Sequence, residues 1–316
     1  MAEPISVSVI IDNYNYAPFL SSAIDSVLCQ ATPGTEVVVV DDGSTDTSRD
    51  TLRGYGDQIV AICKENEGQA SALNAGLENS SGDVVFFLDA DDLFLPGKIE
   101  RILVTFRREP AAGWVFHDLI RTDRPPEGVD RSIGRSGERE AYIDDRARVR
   151  RGGCPTFPLP PTSALCFRRE LLRQIFPIPN ELRITADEFV KLAAVALSPG
   201  VYVGERLGIQ RLHAFNAYTG RRNLEALRAK IGIRTALHLR RRFPEMHLLT
   251  DRIFASGLGR LMGHEGPVAG IADPDVQAYA CQFIGCWRGV RQAPRVSLNY
   301  LRAWAARLGV LRPPGM

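Results

Sequence analysis

The sequence predicts an α/β protein: a mostly parallel, Rossmann-like sheet flanked by helices, with a helical C-terminal extension. Three observations carry that expectation. Short β-branched runs alternate with helical stretches through roughly the first hundred residues. The run Val37 to Val40 is unbroken, the pattern of a strand buried on both faces. From about Asn223 the chain becomes mainly helical and basic.

The elements follow in order. Val7 to Ile11 is a short apolar strand, and Phe19 to Gln30 has helical periodicity. After the Val37–Val40 strand, Ser44 and Thr45 offer N-caps for a helix reaching about Tyr55. Ile59 to Cys63 reads as a strand, Gln69 to Asn79 as a helix stopped by Ser-Gly, and Val84 to Leu88 as a fourth strand. Pro96 then stands where a helix tolerates proline best, at its first position. Residues 121 to 160 are rich in Arg, Asp, Gly and Pro and read as a long excursion. Thr162 to Phe167 resumes as a strand, Arg168 to Ile175 as a helix, and Asp187 to Leu197 as another helix.

The chain has 316 residues, 45% hydrophobic and 24% charged, which excludes a disordered, collagenous or coiled-coil class. No run approaches the ~20 apolar residues that span a bilayer. The N-terminus lacks the basic start, apolar segment and cleavage site of a secretory signal, so the cytoplasm is the expected compartment. The six cysteines, Cys29, Cys63, Cys154, Cys166, Cys281 and Cys286, form no Cys-x-x-Cys pair and read as structural. The net charge of +2 conceals an asymmetry. Residues from Arg221 on hold 16 Lys and Arg against 6 Asp and Glu, and the preceding part holds 23 against 31. No nucleic-acid partner is expected.

In parallel α/β sheets, ligands bind beyond the carboxyl ends of the strands. Here those ends carry Asp12 and Asn13, Asp41 and Asp42, Glu65 and Asn66, and Asp89 to Asp92. Carboxylates packed as densely as Asp89-Ala90-Asp91-Asp92 repel one another unless a cation relieves them. Mg²⁺ or Mn²⁺ shared with a diphosphate suits such an Asp-x-Asp, because hard cations take carboxylate and phosphate oxygens. One of these aspartates is also placed to cap the next helix. In Val40-Asp41-Asp42-Gly43-Ser44, a carboxylate straight off the strand can accept the imide N–H of uracil.

With these elements in view, the sequence resembles the family 2 inverting glycosyltransferases of GT-A fold. The matching stretches are VSVIIDNYNYAPFLSSAIDSVLCQ, EVVVVDDGSTDTS, ENEGQASALNAGLENSSGDVVFFLDADDLFLPGKI, TADEFVKLAAVAL and QRLHAFNAY, in that order. The resemblance implies a catalytic domain over residues 1–222, with the donor site in 1–120 and the acceptor part in 121–222, and a basic helical extension over 223–316. It implies a nucleotide-sugar donor, UDP-sugar favoured, and a saccharide or lipid-linked acceptor.

The same resemblance distributes the roles. Asp42, beside Asp41, would hold the base in a pocket lined by Asp12, Asn13 and Tyr14. Asp91 would bind the metal with His213, while Asp89 and Ala90 face the ribose or sugar. Asn66, Gly68 and Asn74 would shape the wall beside the donor, Arg211 would lie near the diphosphate or the acceptor, and Asp187 would be the general base, with Glu188 as the alternative. Two departures stand out: Asp12-Asn13-Tyr14-Asn15 replaces Pro-Thr-Tyr-Asn, and Leu73 replaces an arginine.

Other classes fit less well. A phosphatase of haloacid-dehalogenase type expects Thr or Val where Leu93 stands, and no Gly-x-Gly-x-x-Gly follows a strand as a nicotinamide site requires. A catalytically inactive sugar-nucleotide-binding module of the same fold is the alternative that remains. In the tail, Ile231, Ile233, Leu237 and Leu239 precede Arg240-Arg241-Arg242, and Trp287, Tyr300, Leu301 and Trp304 lie among further arginines. These residues offer either peripheral contact with an anionic membrane at its inner face, or packing on the catalytic domain or in a dimer.

Overall fold

The computed structural model describes residues 5–123, 140–214, 216 and 224–284. It divides into two compact units: Met1–Arg146 with Pro155–Ala217, and Ala147–Cys154 with Tyr218–Met316. The segment Ala147–Cys154 thus joins the second unit although it lies well before residue 222.

The first unit starts with four β-strands separated by helices: β1 (Val7–Asn13), α1 (Ala17–Leu28), β2 (Thr35–Asp42), α2 (Ser48–Tyr55), β3 (Val60–Lys64), α3 (Gln69–Glu78) and β4 (Val84–Asp89). There follow β5 (Leu93–Phe94), α4 (Lys98–Arg108), β6 (Trp114–Thr122), β7 (Glu140–Ile143), α5 (Arg146–Arg150), which belongs to the second unit from Ala147 on, and then β8 (Leu165–Arg168), α6 (Arg169–Ile175), α7 (Asp187–Leu197) and β9 (Gly200–Arg211). The strands form one sheet in the order β3-β2-β1-β4-β8-β6-β9-β5, with β7 paired to β9. From β3 to β4 all pairs are parallel, as the early alternation requires. Beyond β4 the sheet is mixed: β8 is antiparallel to both β4 and β6, and β6 and β9 are again parallel.

Both faces of the parallel half are covered, which explains its unbroken apolar runs. Val7, Val9, Ile11, Val37 and Val39 pack on Leu20, Ala23, Ile24 and Val27 of α1 and on Ile99, Ile102 and Phe106 of α4. The alternate residues Val38 and Val40 pack on Ala72 of α3.

Two helix starts differ from expectation. Helix α2 begins at Ser48, because the Ser44 hydroxyl is taken by Asn13 Nδ2 and the Asn15 backbone N–H; Asp46 Oδ1 instead accepts from Ser48 N at 3.0 Å. Helix α4 begins at Lys98, after Gly97 in the left-handed region (φ 83°), which places Pro96 outside it. The cysteine reading also needs correcting: only Cys166 is buried, Cys29, Cys63, Cys154 and Cys281 are exposed, and Cys286 lies outside the described residues.

The second unit contains α8 (Leu224–Arg242), α9 (His247–Glu265), α10 (Pro267–Ala272) and α11 (Pro274–Tyr279). Ile233 and Leu237 are buried in its own core with Phe254, Leu258 and Tyr279, so they are not free for a membrane or a partner. Arg241 donates to Gln282, and Arg240 lies over Phe283. Trp287, Tyr300, Leu301 and Trp304 lie outside the described residues. Among the described residues no helix is long and apolar enough to cross a membrane.

Candidate active site

The carboxyl ends of β1, β2 and β4 finish level with one another. Asn13 pairs with Asp41 across β1 and β2, and Asp12 with Asp89 across β1 and β4. At the end of β2 the two carboxylates are buried and well partnered. Asp41 accepts from Asn13 Nδ2 at 2.9 Å, Ser44 N at 3.1 Å and Arg49 Nε at 3.1 Å. Asp42 accepts from Lys64 Nζ at 2.9 Å and from the backbone N–H groups of Glu67 at 3.1 Å and Gly68 at 2.7 Å. Asn66 Nδ2 donates to Asp42 O at 2.9 Å, closing the same loop. Gly68 is required there: its φ is 95°, and a Cβ would lie 2.6 Å from Arg183.

At the end of β4 the acidic loop is different in kind. Ligand atoms of Asp89, Asp91 and Asp92 lie within 4.8 Å of one another. Burial and the Asp91 charge push Asp12 up to about 7, and Asp12 Oδ1 is buried with no hydrogen-bond partner among the described residues. Burial, with the charges of Asp12, Asp92, Asp91 and Asp187, holds Asp89 well above the usual carboxylate range. Asp91 is raised by burial, although His213 Nε2 at 3.1 Å and Asn216 Nδ2 at 2.9 Å offset it. Asp92 reaches about 8 through burial and the Asp91 charge, despite hydrogen bonds from Ser163 Oγ at 2.6 Å and Arg211 N at 3.0 Å.

Several residues that carry no local sequence signal support this loop. Ser163 Oγ also accepts from Asp89 N at 3.1 Å, and the Ser163 carbonyl accepts from the fully buried Lys98 Nζ at 2.7 Å. Burial lowers Lys98 to about 7. Arg211 has a different task from the diphosphate or acceptor contact implied by the sequence. Its guanidinium donates to Ser22 Oγ at 2.7 Å, Phe19 O at 3.1 Å and the Asp91 carbonyl, so it braces the loop against α1. His213 stacks on Phe19, with ring centroids 4.2 Å apart, while its Nε2 faces Asp91.

Asp187 opens α7 and is buried, and its charge is felt at Asp89. Lys191, one turn on, donates to Asp187 Oδ2 at 2.8 Å, Glu188 Oε2 at 3.0 Å and Pro160 O at 3.1 Å. Although burial disfavours its charge, those two carboxylates hold Lys191 above its ordinary range. The neighbouring Glu188 side chain is 40% exposed against 9% for Asp187.

Of the other expected residues, Ala90 donates its N–H to Asp12 O at 3.1 Å, fixing the loop to β1. Tyr14 is 46% exposed just past β1. The Asn74 amide closes on Ile178 in both directions, at 2.8 and 2.7 Å, so it ties α3 to that segment.

A mixed sheet of this order, with carboxylates at its parallel strand ends, is the GT-A fold of glycosyltransferases. Staphylococcus aureus TarS 1-349 in complex with UDP has a TM-score of 0.61 at 18% identity, over 96% of this chain and 89% of that one. A Pyrobaculum calidifontis mannosyltransferase in complex with GDP-Man and Mn²⁺ has a TM-score of 0.50 at 19% identity, over 98% and 87%. The family model of glycosyl transferase family 2 matches residues 8–176, and the chain belongs to that family. An uncharacterized glycosyltransferase of Nostoc sp. (strain PCC 7120) is 39% identical over 219 residues, covering 67% of this chain and 66% of the relative. One from Rickettsia typhi is 46% identical over 94 residues, 30% of each chain. The matched stretch thus falls short of the relatives' full length.

Proposed function

We propose that this chain transfers a sugar from a nucleotide-sugar, UDP-sugar favoured, to a hydroxyl of a saccharide or lipid-linked acceptor, with inversion at the anomeric carbon. The observation that carries this reading is a cluster of under-compensated carboxylates at the strand ends, with Asp91 and Asp92 buried and Asp12 and Asp89 half-buried, beside the separate buried carboxylate of Asp187.

The cluster fits a divalent cation. Its donor set is all hard oxygen, its spacing suits one ion, and Asp12 Oδ1 is a buried acceptor with no hydrogen-bond partner among the described residues. Asp91 would hold Mn²⁺ or Mg²⁺, with Asp89 or Asp92 beside it and His213 next to Asp91. When bound, the cation offsets the negative charge that grows on the leaving diphosphate. The complex of the Pyrobaculum mannosyltransferase with GDP-Man and Mn²⁺ supports this assignment by likeness of fold.

The chain's own residues do the rest. Asp42 retains about one acceptor site after its three hydrogen bonds, enough for one base N–H. Tyr14, exposed just past β1, would offer its ring to the base, and Asn66 and Gly68 fix the loop that holds Asp42. Asp187, with one oxygen held by Lys191, keeps the other for the proton of the acceptor hydroxyl, and its inward position favours it over Glu188 as general base. A single in-line displacement needs no covalent nucleophile.

The test is release of UDP from a panel of UDP-glucose, UDP-galactose and UDP-GlcNAc, with Mn²⁺, Mg²⁺ or excess chelator. Metal-dependent UDP release supports the reading. Undiminished release in chelator would overturn the metal role, and binding of UDP without turnover of any sugar nucleotide or acceptor would leave a binding module.

A further inference from the structure

We infer that Gln69 is a positioning residue that links the donor-side carboxylate Asp89 to the general base, an inference that rests on the transfer reaction proposed above. Gln69 is the first residue of α3. Its backbone N–H donates to Arg183 O at 2.9 Å. Its side-chain Nε2 donates to Asp89 Oδ1 at 3.2 Å and to Thr162 Oγ1 at 3.5 Å, and its Oε1 accepts from Ala186 N at 3.0 Å. One planar amide therefore touches the Asp89 carboxylate and the backbone N–H of Ala186, the residue that immediately precedes Asp187.

The chemistry of the two ends fixes the residue type. Asp89 offers acceptors when ionised and the Ala186 N–H is only a donor, so the amide has one orientation that satisfies both. A carboxylate at this position would repel Asp89, and an ammonium could not accept from Ala186. Residue 185 adds a reason for such a clamp. Thr185 has φ 54°, a left-handed conformation costly for a β-branched residue. Gln69 binds the chain on both sides of it, through Arg183 O and Ala186 N, and so holds the start of α7 in the one conformation that turns Asp187 inward. A cation and diphosphate that draw on Asp89 fix the amide, and through it the backbone before the base. Asp187 is thus set in place when the donor side is filled.

The experiment is hydrogen exchange of the peptide covering residues 183–188 in the full chain, with and without UDP plus Mn²⁺, for wild type, Gln69→Met and Gln69→Glu. In wild type, UDP and Mn²⁺ should slow exchange at this peptide. Gln69→Met, which keeps the volume and loses both polar ends, should bind UDP and Mn²⁺ within about threefold of wild type yet show no such slowing. Its kcat on the UDP-sugar that wild type uses should fall ~10–100-fold at unchanged donor KM, the scale of a small misplacement of a catalytic group. Gln69→Glu keeps the acceptor for Ala186 and should retain the unliganded exchange rate while losing the response to UDP and Mn²⁺; it carries the test should the Met variant misfold. Variants that respond like wild type overturn the inference, as does a loss of UDP affinity equal to the loss of kcat. Wild type that binds UDP and Mn²⁺ without any change at 183–188 overturns it too. Wild type that binds no UDP with Mn²⁺ instead overturns the donor reading itself.

Discussion

A pair and a trio of aspartates stand at the ends of β2 and β4, on either side of β1, and meet opposite fates. Asp41 and Asp42, after β2, are buried and surrounded by donors: an arginine, a lysine, an asparagine amide and three backbone N–H groups. Asp89, Asp91 and Asp92, after β4, are packed against one another and against Asp12, with fewer donors than lone pairs. Asp41, Asp42, Asp91 and Asp92 are all buried, so burial alone does not distinguish the sites. Compensation does. The β2 pair organises the chain around it, whereas the β4 cluster keeps a deficit of positive charge that a ligand can supply.

The largest effect should come from emptying the cluster. Asp91→Ala should lower sugar transfer by roughly 10²–10³-fold or more, as loss of a preorganised electrostatic group does, and should abolish the difference between Mn²⁺ and chelator. Retained metal-dependent turnover in that variant would move the cation to other residues.

The second effect separates the base from its neighbour. Asp187→Asn should reduce kcat by about 10²-fold or more with UDP affinity unchanged, and Glu188→Gln should stay within about threefold of wild type. The reverse pattern would transfer the role to Glu188.

The third compares stability rather than rate. Asp42→Ala leaves Lys64 and the N–H groups of Glu67 and Gly68 without their acceptor, and should cost about 2–3 kcal/mol in denaturant unfolding. Asp91→Ala in metal-free protein should cost less, because it also removes a repulsive charge. Equal losses would mean that the two sites are not different in kind.

The smallest effect is with pH. Folded Asp12 and Asp92 hold protons up to about 7 and 8, whereas unfolded aspartates lose theirs near 4. The folded state therefore binds more protons in between, and their contribution to the stability of metal-free protein should fall as pH rises from about 5 to 7. Above about 7 the lowered Lys98 acts in the opposite sense, since the unfolded lysine then binds the extra proton. Urea midpoints at pH 5.5 and 7, with and without Mn²⁺, read this directly; a slope that Mn²⁺ leaves untouched would separate it from the cluster.

What the sequence made legible was local. The Val37–Val40 run, the strand-end aspartates and the span of α7 could be read because periodicity and chain adjacency carry them. Helix starts were less legible, since Ser44 had a stronger suitor in Asn13 and Asn15 than in the helix it was expected to cap. The supports of the site were not legible at all. Lys98, Ser163 and Gln69 meet the acidic loop through contacts far apart in sequence, and none forms a motif with what it touches. The mixed half of the sheet was similarly obscure: β9 alternates apolar and polar residues only in part, although Val201-Tyr202-Val203 carried a signal.

The rungs of the sheet have a further consequence. Asp12 faces Asp89, and Asn13 faces Asp41, because β1, β2 and β4 are in one fixed register. Side chains on a strand alternate between faces, so a shift of β4 by a single residue would turn Asp89 away and bring Leu88 or Ala90 to its place. The spacing between the carboxylates is therefore gauged by apolar packing that never meets a substrate, on Ile10, Ile11, Phe87 and Leu88. One residue inserted at Phe87 would disarm the site while leaving every polar atom of it in the chain.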